Sequence, residues 1–451
     1  MLTVSQIEAA YPPQGLFPRS AERTEDLLDA DSPSTGYRHF PWLLSPAPLE
    51  LEKPLIRQLQ GLGHILAKFQ DACHELYHRS AAGEAHPWIA KMLDAGKPDW
   101  LVAAQRSRRL RQTAPRIIRP DLMLTDGGFA ITELDSVPGG QGITAWLSAL
   151  YAGDGYSILG GATGMIDGFR AAHPGGAHFL ISEESSDYLP ETNLFAAMLG
   201  EGYTIGRAET ADAIALQGKT VYRFFELFDT DNIPPSRDLI DHAAQGRLSL
   251  SPPPIQHLEE KAWLALFHMP GLQTTWKTLL RGSHYDRLRE IIPHGWLLDP
   301  APLPEQAALP WLNLHSWMEV ARLSQKERRL VLKISGFDPT SWGGRGVHIG
   351  HDMPSPEWQA AIERALADYP EKLWIMQEFR PGRIIEHWHY RQDEGDPRAS
   401  LMPGRVRLCP YYYRHADGNT VLGGCLATIV PADKKKIHGM RDAILVPCTP
   451  A

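Results

Sequence analysis

The chain has 451 residues, of which 43% are hydrophobic and 22% are charged, and it carries a formal net charge of −8. That length predicts more than one structural unit, and the composition is typical of a globular protein. The acidic balance argues against a nucleic-acid binder, whose affinity would need an excess of Lys and Arg. It leaves room for a local basic pocket that takes a phosphorylated small molecule.

The sequence lacks the features of secreted and membrane proteins. Its N-terminal residues contain no basic segment followed by an apolar run, and no stretch approaches the ~18 consecutive apolar residues of a transmembrane helix. Four scattered cysteines predict neither a disulfide framework nor a zinc site: Cys73, Cys409, Cys425 and Cys448. We therefore expect a cytoplasmic protein without a membrane partner.

Four units are expected along the chain. Residues 1–115 are predicted to be mostly helical, because apolar residues recur at three- and four-residue steps across 52–95. Residues 116–165 contain a predicted hairpin and the helix after it. Residues 166–250 alternate strand, helix and strand, which is typical of a small α/β unit with a parallel sheet. Residues 251–451 begin at a linker-like SPPPIQ and mix strands with helices, so the expected class is α+β with an α/β part.

The stretch RPDLMLTDGGFAITELDS predicts a β-hairpin that turns at Asp126-Gly127. Its strands carry four charged residues at alternating positions: Arg119, Asp121, Glu133 and Asp135. A two-residue loop would separate the acids, whereas a three-residue loop that includes Gly128 pairs Asp121 with Glu133 and brings all four charges to one face. Glycine at the last loop position favours the three-residue loop.

Three carboxylates on one face repel one another unless a cation lies between them. Such oxygen clusters suit Mg²⁺, which commonly takes one or two carboxylates together with substrate phosphates. Arg119 beside them could neutralise a transferring phosphoryl group. Taken alone, the hairpin is equally compatible with a solvent-facing strand crossed by salt bridges.

A glycine-rich loop follows an apolar strand in LVLKISGFDPTSWGGRGVHIG. Glycines let backbone N–H groups approach phosphate oxygens, and Lys333 at the strand end would add a positive charge. The loop glycines are Gly343, Gly344 and Gly346. Neither a P-loop nor a Rossmann fingerprint is present, and a flexible surface turn is also compatible with this pattern.

Another apolar strand, WIMQEF, ends in Gln377, Glu378 and Phe379. A strand end of this kind can present backbone groups to the edge of an adenine, although an ordinary core strand that runs out to the surface has the same pattern.

The segment SVPGGQGITAWL begins at Ser136 and runs through Gly139 and Gly140 into a predicted helix. Free N–H groups at a helix N-terminus attract a carboxylate or phosphate of a substrate. A plain glycine turn is the alternative.

Together these segments resemble the ATP-grasp superfamily, in the circularly permuted arrangement of glutathionylspermidine synthetase-like proteins. In that group an Arg-x-Asp motif precedes Glu-x-Asn or Glu-x-Asp on the metal-binding hairpin, and RPD and ELD stand at those places here. The resemblance spans residues 115–430 and implies that 166–250 form the small domain beside the ATP-grasp core. No amidase domain is seen, and the first hundred residues match no part of the family.

The resemblance implies roles for individual residues. Asp121, Glu133 and Asp135 would bind two Mg²⁺ ions, with Asp135 standing where that synthetase has asparagine, and Arg119 would steady the transferred phosphate. The sequence is equally compatible with a purely structural role for Arg407. It is also compatible with Lys261 being an ordinary exposed lysine on a helix. The implied ATP contacts are Lys261, Lys333, Gly343, Gly344, Gly346, Gln377, Glu378, Phe379 and Arg407.

The predicted function is an ATP-dependent ligase that joins a small-molecule carboxylate to an amine through an acyl phosphate, with ATP and Mg²⁺ as cofactors. Such chemistry needs positioning and charge stabilisation rather than a nucleophilic side chain. Two alternatives remain: a small-molecule kinase with the same ATP site, and a nucleotide-binding scaffold without turnover.

Overall fold

The computed structural model describes residues 1–12, 15–16, 40–304, 307–341, 344–391, 397–437 and 442–451. The strands in this part of the chain are β1 (Leu49–Leu51), β2 (Ile117–Thr125), β3 (Gly128–Asp135), β4 (Ala177–Ile181), β5 (Tyr203–Arg207), β6 (Thr220–Phe224), β7 (Ser249–Ser251), β8 (Gly295–Leu297), β9 (Leu330–Ile334), β10 (Val347–Ile349), β11 (Trp374–Glu378), β12 (Ile384–Arg391), β13 (Arg398–Arg414), β14 (Thr420–Pro431) and β15 (Ile444–Pro450).

The helices are α1 (Val4–Ala9), α2 (Lys53–Ala81), α3 (Trp88–Asp94), α4 (Asp99–Gln105), α5 (Gln141–Gly153), α6 (Gly164–Ala172), α7 (Leu189–Leu199), α8 (Ser236–Ala244), α9 (Ala262–Leu266), α10 (Gln273–Leu279), α11 (Gly282–Ile291), α12 (Trp317–Ala321) and α13 (Ser355–Ala367). The helical stretch predicted over 52–95 is thus two helices, with Gly83 between them in the left-handed region at φ 75°. None of these described helices combines the length and apolar character needed to cross a membrane.

The largest sheet has seven strands in the order β1-β15-β14-β13-β2-β3, and β12 also pairs with β13. Successive residues of a strand face opposite sides of its sheet. The ring of Tyr412 accordingly lies against Gly63 of α2, while the ring of Tyr413 lies against Gly168 of α6. The Tyr412 hydroxyl donates to the Leu59 carbonyl at 2.7 Å, which ties α2 to the sheet. Helices therefore cover both faces of this sheet.

The second sheet is antiparallel and has the order β10-β9-β11-β8. Lys333 on β9 pairs with Ile375 on β11, so Lys333 and Gln377 face the same side of the sheet. Trp358 and Ile362 of α13 are buried with the apolar side chains of β9 and β11 in one cluster. One face of this sheet thus supports the core while the other presents polar side chains.

The third sheet is parallel, with the order β5-β4-β6-β7. The chain runs from β4 through α7 to β5, which confirms the strand–helix–strand pattern predicted in residues 166–250. Residues 251–256, which look like a linker in the sequence, are buried. The predicted mixture of α+β and α/β structure is confirmed.

Candidate active site

The charged hairpin is formed by β2 and β3. Asp121 lies directly opposite Glu133, and Arg119 lies opposite Asp135, as predicted. The predicted three-residue loop is wrong, because Thr125 pairs with Gly128 across a two-residue turn. A β-bulge supplies the missing residue further along the strands: the pairing skips Thr132, whose hydroxyl donates to the Asp121 carbonyl at 3.0 Å.

A cavity of about 380 Å³ lies beside this hairpin and is lined by residues of all three sheets. Of the predicted site residues, the cavity lining includes Arg119, Asp121, Glu133, Asp135, Ser136, Gly139, Gly140, Lys261, Lys333, Gly344, Gln377, Glu378, Phe379 and Arg407. Gly343 lies outside the described residues. Segments that are far apart in the sequence therefore meet at one place.

Asp121 is held by two arginines. One of its oxygens lies 2.9 Å from Arg407 Nη1, and the other lies 3.5 Å from Arg119 Nη2. Burial opposes the charge of Asp121, but Arg407 and Arg119 outweigh burial and hold the pKa of this carboxyl below its ordinary value. Asp121 is therefore an anion at neutral pH.

Arg119 also connects the hairpin to the turn before α5. Its guanidinium pairs with Asp135, and its Nη1 donates to the Gly139 carbonyl at 2.9 Å. Burial raises the pKa of Asp135, and Arg119 offsets this only in part. The same Gly139 carbonyl accepts from the Tyr411 hydroxyl at 2.6 Å. These contacts fix the guanidinium against the cavity wall.

Glu133 pairs with Lys261, whose Nζ lies 2.8 Å from Glu133 Oε1. Lys261 Nζ also donates to the carbonyls of Ser335 at 3.2 Å and Ser341 at 2.8 Å. Burial disfavours the charge of Lys261, but Glu133 outweighs burial and raises the pKa of the lysine. Lys261 is buried and paired, so the exposed helix position considered for it does not apply.

Lys333 reaches the hairpin from the second sheet. Its Nζ donates to the Thr132 carbonyl at 2.8 Å and to Gln377 Oε1 at 2.9 Å. Burial lowers the pKa of Lys333 to about 8. The bulge at Thr132 thus turns a main-chain carbonyl toward this lysine. The Gln377 side-chain nitrogen is buried without a hydrogen-bond partner, which leaves its two N–H donors for a ligand.

The three hairpin carboxylates suit Mg²⁺ by their chemistry, because oxygen ligands are those that it prefers. Each carboxylate contacts a cation of the chain: Asp121 with Arg407, Glu133 with Lys261, and Asp135 with Arg119. In the described part of the chain, the only group of three or more His, Cys, Asp or Glu with all ligand atoms within 4.8 Å of one another lies elsewhere. The acids fit a site that metal and phosphates complete together, rather than a closed cage for one ion.

The N-terminus of α5 is not free for a substrate. The Gly140 N–H donates to Glu191 Oε1 at 2.6 Å, and the Ile143 N–H donates to Glu191 Oε2 at 3.2 Å. The prediction of free N–H groups here is wrong, because a carboxylate from α7 already caps the helix. Burial raises the pKa of Glu191 to about 7. Ser136 instead lies 3.4 Å from Glu226, at the cavity wall.

Two other predicted ATP contacts need correction, one at Gly346 and one at the hinge. Gly346 is buried against β9, where a Cβ would overlap Ile334, so it allows close packing and does not line the cavity. At the predicted hinge, the Glu378 N–H donates to His294 O at 2.8 Å and the Phe379 N–H to Arg329 O at 2.9 Å. Those two donors are therefore occupied within the fold.

Several charged residues of the cavity were not predicted from the sequence. Glu226, Asp229 and Glu259 line it from the segments after β6 and β7. Lys435 and Lys436 line it from the loop after β14. The run of three lysines at 434–436 is the one local signal that could have indicated basic cavity residues. The acids carry no spacing pattern and meet only through the fold.

The fold is similar to that of a glutathione synthetase-like protein. A glutathione synthetase-like effector from Globodera pallida aligns with a TM-score of 0.51 at 14% identity, over 91% of this chain and 90% of the other. A protein from Methylobacillus flagellatus assigned as a gamma-glutamylcysteine synthetase gives a TM-score of 0.37 at 11% identity, over 85% of each chain. No protein-family model matches the sequence, and no curated protein matches it. The first comparison shows a shared fold.

Proposed function

We propose that the protein is an ATP- and Mg²⁺-dependent ligase that joins a small-molecule carboxylate to an amine through an acyl phosphate. We further propose the circularly permuted ATP-grasp arrangement of glutathionylspermidine synthetase-like proteins, with its units at 1–115, 116–165, 166–250 and 251–451. The observation that carries the proposal is the meeting of the charged hairpin with Lys333 and Lys261 in one cavity.

The charges of the cavity support ATP as a substrate. Lys261, Lys333 and Arg407 would bind phosphate oxygens. Their present partners are acids, main-chain carbonyls and the Gln377 side-chain amide, which phosphates can replace. Asp121, Glu133 and Asp135 would hold Mg²⁺, which supplies charge neutralisation for the transferring phosphoryl group when bound. Exchange of partners within one charge-balanced site costs less than burial of new charges.

Arg119 is suited to the carboxylate substrate and its acyl phosphate. Its guanidinium is fixed by Asp135 and the Gly139 carbonyl, so it needs little reorganisation when charge develops on the transferred phosphate. It lies on the same face of the hairpin as the proposed metal ligands. Its task is to position the acid for in-line attack on the γ-phosphate.

The acidic part of the cavity is suited to the amine. Glu226, Asp229 and Glu259 line it, and burial together with the neighbouring Glu259 raises the pKa of Glu226. In its ionised form, a carboxyl with a raised pKa is a stronger base than an ordinary carboxylate, and it can take the proton that an ammonium must lose before it attacks the acyl phosphate. The glutathione synthetase-like fold supports the same class of substrates, an acid and an amine.

The proposal is tested by a screen of acid and amine pairs for ADP release in the presence of Mg²⁺. We expect Glu133→Gln to lower turnover at least 100-fold, while Glu363→Gln, at an exposed acid of α13, keeps the rate of the wild type. Equal turnover of wild type and Glu133→Gln would exclude the assigned site. A stable phosphorylated product formed without an amine would identify a kinase, and ATP binding without ADP release across the screen would identify a scaffold.

A further inference from the structure

Three histidines meet at a second place in the fold, on the side of α2 that faces the 3-10 turn Gln256–Glu259. His74 and His78 lie one helical turn apart on α2, and His257 lies on that 3-10 turn. One ligand nitrogen from each lies within 4.8 Å of the other two. His78 and His257 are buried, and His74 is half-buried.

The outer nitrogens of two rings have fixed protons. His74 Nε2 lies 3.1 Å from the Arg111 carbonyl, which only accepts, so this nitrogen carries a hydrogen. His257 Nδ1 lies 2.9 Å from Gln105 Oε1. The identity of that oxygen is certain from its neighbours, because the His257 main-chain N–H donates to it and Gln105 Nε2 donates to Asp94 at 2.9 Å. His257 Nδ1 therefore also carries a hydrogen.

The inner nitrogens then face each other without a proton. His74 Nδ1 and His257 Nε2 lie 3.0 Å apart, and the two rings are inclined by only 16°. With both imidazoles neutral, each nitrogen offers a lone pair to the other, and this arrangement repels. The Nε2 atom of His78 is buried and has no hydrogen-bond partner. Two opposed lone pairs and an unpartnered imidazole require a cation or a proton between them.

We propose that His74, His78 and His257 bind a zinc ion, or another divalent transition metal that prefers imidazole, with the fourth position taken by water. The sequence predicted no zinc site because its cysteines are scattered. That argument does not apply to a site made of histidines. A proton would bind only one nitrogen and leave His78 unused, whereas a metal ion accepts lone pairs from all three rings.

The surroundings have the features of a metal site. Each of the two outer N–H groups donates to a carbonyl oxygen, which is the usual support of a metal-bound histidine. The 3.0 Å separation of the inner nitrogens is close to the about 3.3 Å between ligands of tetrahedral zinc with Zn–N bonds of about 2.0–2.1 Å.

The sequence signal is HELYH at residues 74–78, an instance of the H-E-x-x-H pattern that puts two zinc ligands on one helix face. Glu75 of this pattern is exposed, and two of the three histidines are buried. This burial favours an ion with a structural role. It would join α2 to the turn at Gln256–Glu259, two residues before Lys261, and so hold the segment that brings this lysine into the cavity.

The test is zinc binding by the purified full chain. After chelation and dialysis, we expect the wild type to take up one Zn²⁺ per chain and to melt at a higher temperature with zinc than without. In competition with a chromogenic chelator, His74→Gln and His78→Gln should each bind zinc at least 100-fold more weakly. His64→Gln, at an exposed histidine of the same helix, should bind as the wild type does.

The proposal would be overturned by a wild type that takes up no zinc, by equal affinity in all three variants, or by a cationic His74–His257 pair at neutral pH by NMR without metal uptake. If a variant does not fold, X-ray absorption of the zinc-loaded wild type decides. Three imidazole ligands support the site, and a shell of oxygen ligands alone excludes it. None of these measurements depends on ligase activity.

Discussion

Lys261 Nζ lies 2.8 Å from Glu133 Oε1, so a proposed phosphate-binding cation and a proposed metal-binding anion neutralise each other in the cavity. In the proposed function, binding of Mg–ATP separates them. We expect Glu133→Gln to strengthen binding of metal-free ATP and to weaken binding of Mg–ATP, because Lys261 is released while a metal ligand is lost. Calorimetric titration of ATP with and without Mg²⁺ measures both effects.

The matched controls for this pair are Lys261→Met and the double variant that combines it with Glu133→Gln. With the Glu133→Gln single variant and the wild type, they complete a double-mutant cycle. A direct pair should give an interaction energy of roughly 0.5–3 kcal/mol in the free energy of unfolding. Additive effects of the two substitutions on unfolding would contradict a direct pair. An ATP affinity that is unchanged in Glu133→Gln would contradict a role of this pair in nucleotide binding.

Stability at alkaline pH should depend on Lys333. Burial lowers its pKa from the ordinary 10.5 to about 8 in the folded chain. Between these values the unfolded chain keeps the proton that the folded chain has lost, so the free energy of unfolding rises with pH in this window. Lys333→Met should lack this rise. Urea unfolding from pH 7 to 10.5 measures the difference, and parallel profiles of the two proteins would show that Lys333 has no lowered pKa.

Close packing of α2 on the large sheet should depend on Gly63. A Cβ there would overlap the ring of Tyr412, whereas Gly61 on the same helix has no atom within 4 Å of an added Cβ. We expect Gly63→Ala to destabilise the protein by about 1–3 kcal/mol through overpacking. Gly61→Ala should stabilise it by up to about 1 kcal/mol through helix propensity. Denaturant unfolding measures both, and equal effects would show that Tyr412 does not limit this position.

Glu191 should give the protein a pH-dependent stability near neutrality. Burial raises its pKa from the ordinary 4.5 to about 7, so between these values the folded chain holds a proton that the unfolded chain has lost. Stability of the wild type should therefore fall as pH rises from about 4.5 to 7. Relative to Glu191→Gln, which has no charge to gain, the wild type should lose stability between pH 5 and 8. A constant difference in thermal unfolding across this range would disprove the shift.

Local sequence was sufficient for the hairpin and for β9, because alternation of side chains and turn residues is encoded within a few positions. It predicted the pairing of Asp121 with Glu133 for the wrong reason. Glycine at position 128 indicated a longer loop, whereas the extra residue is Thr132 in the strand. Nothing in the sequence around Thr132 signals a bulge.

The remaining site residues depend on packing between distant segments. Glu191 reaches the N-terminus of α5 from α7 and occupies the N–H groups that the sequence leaves available. Glu226 and Glu259 become cavity acids only because the parallel sheet lies beside the hairpin. Such contacts have no pattern within a sequence window. A single sequence therefore predicts the residues of the motifs better than the distant residues that contact them.

The surplus residue at Thr132 has a consequence for engineering of the chain. The bulge inside β3, and not the turn, brings the acids to one face of the hairpin. The exposed tip at Asp126 and Gly127 therefore does not determine which way they point. An epitope or a fluorescent reporter grafted at this tip should leave the alignment of the acids intact.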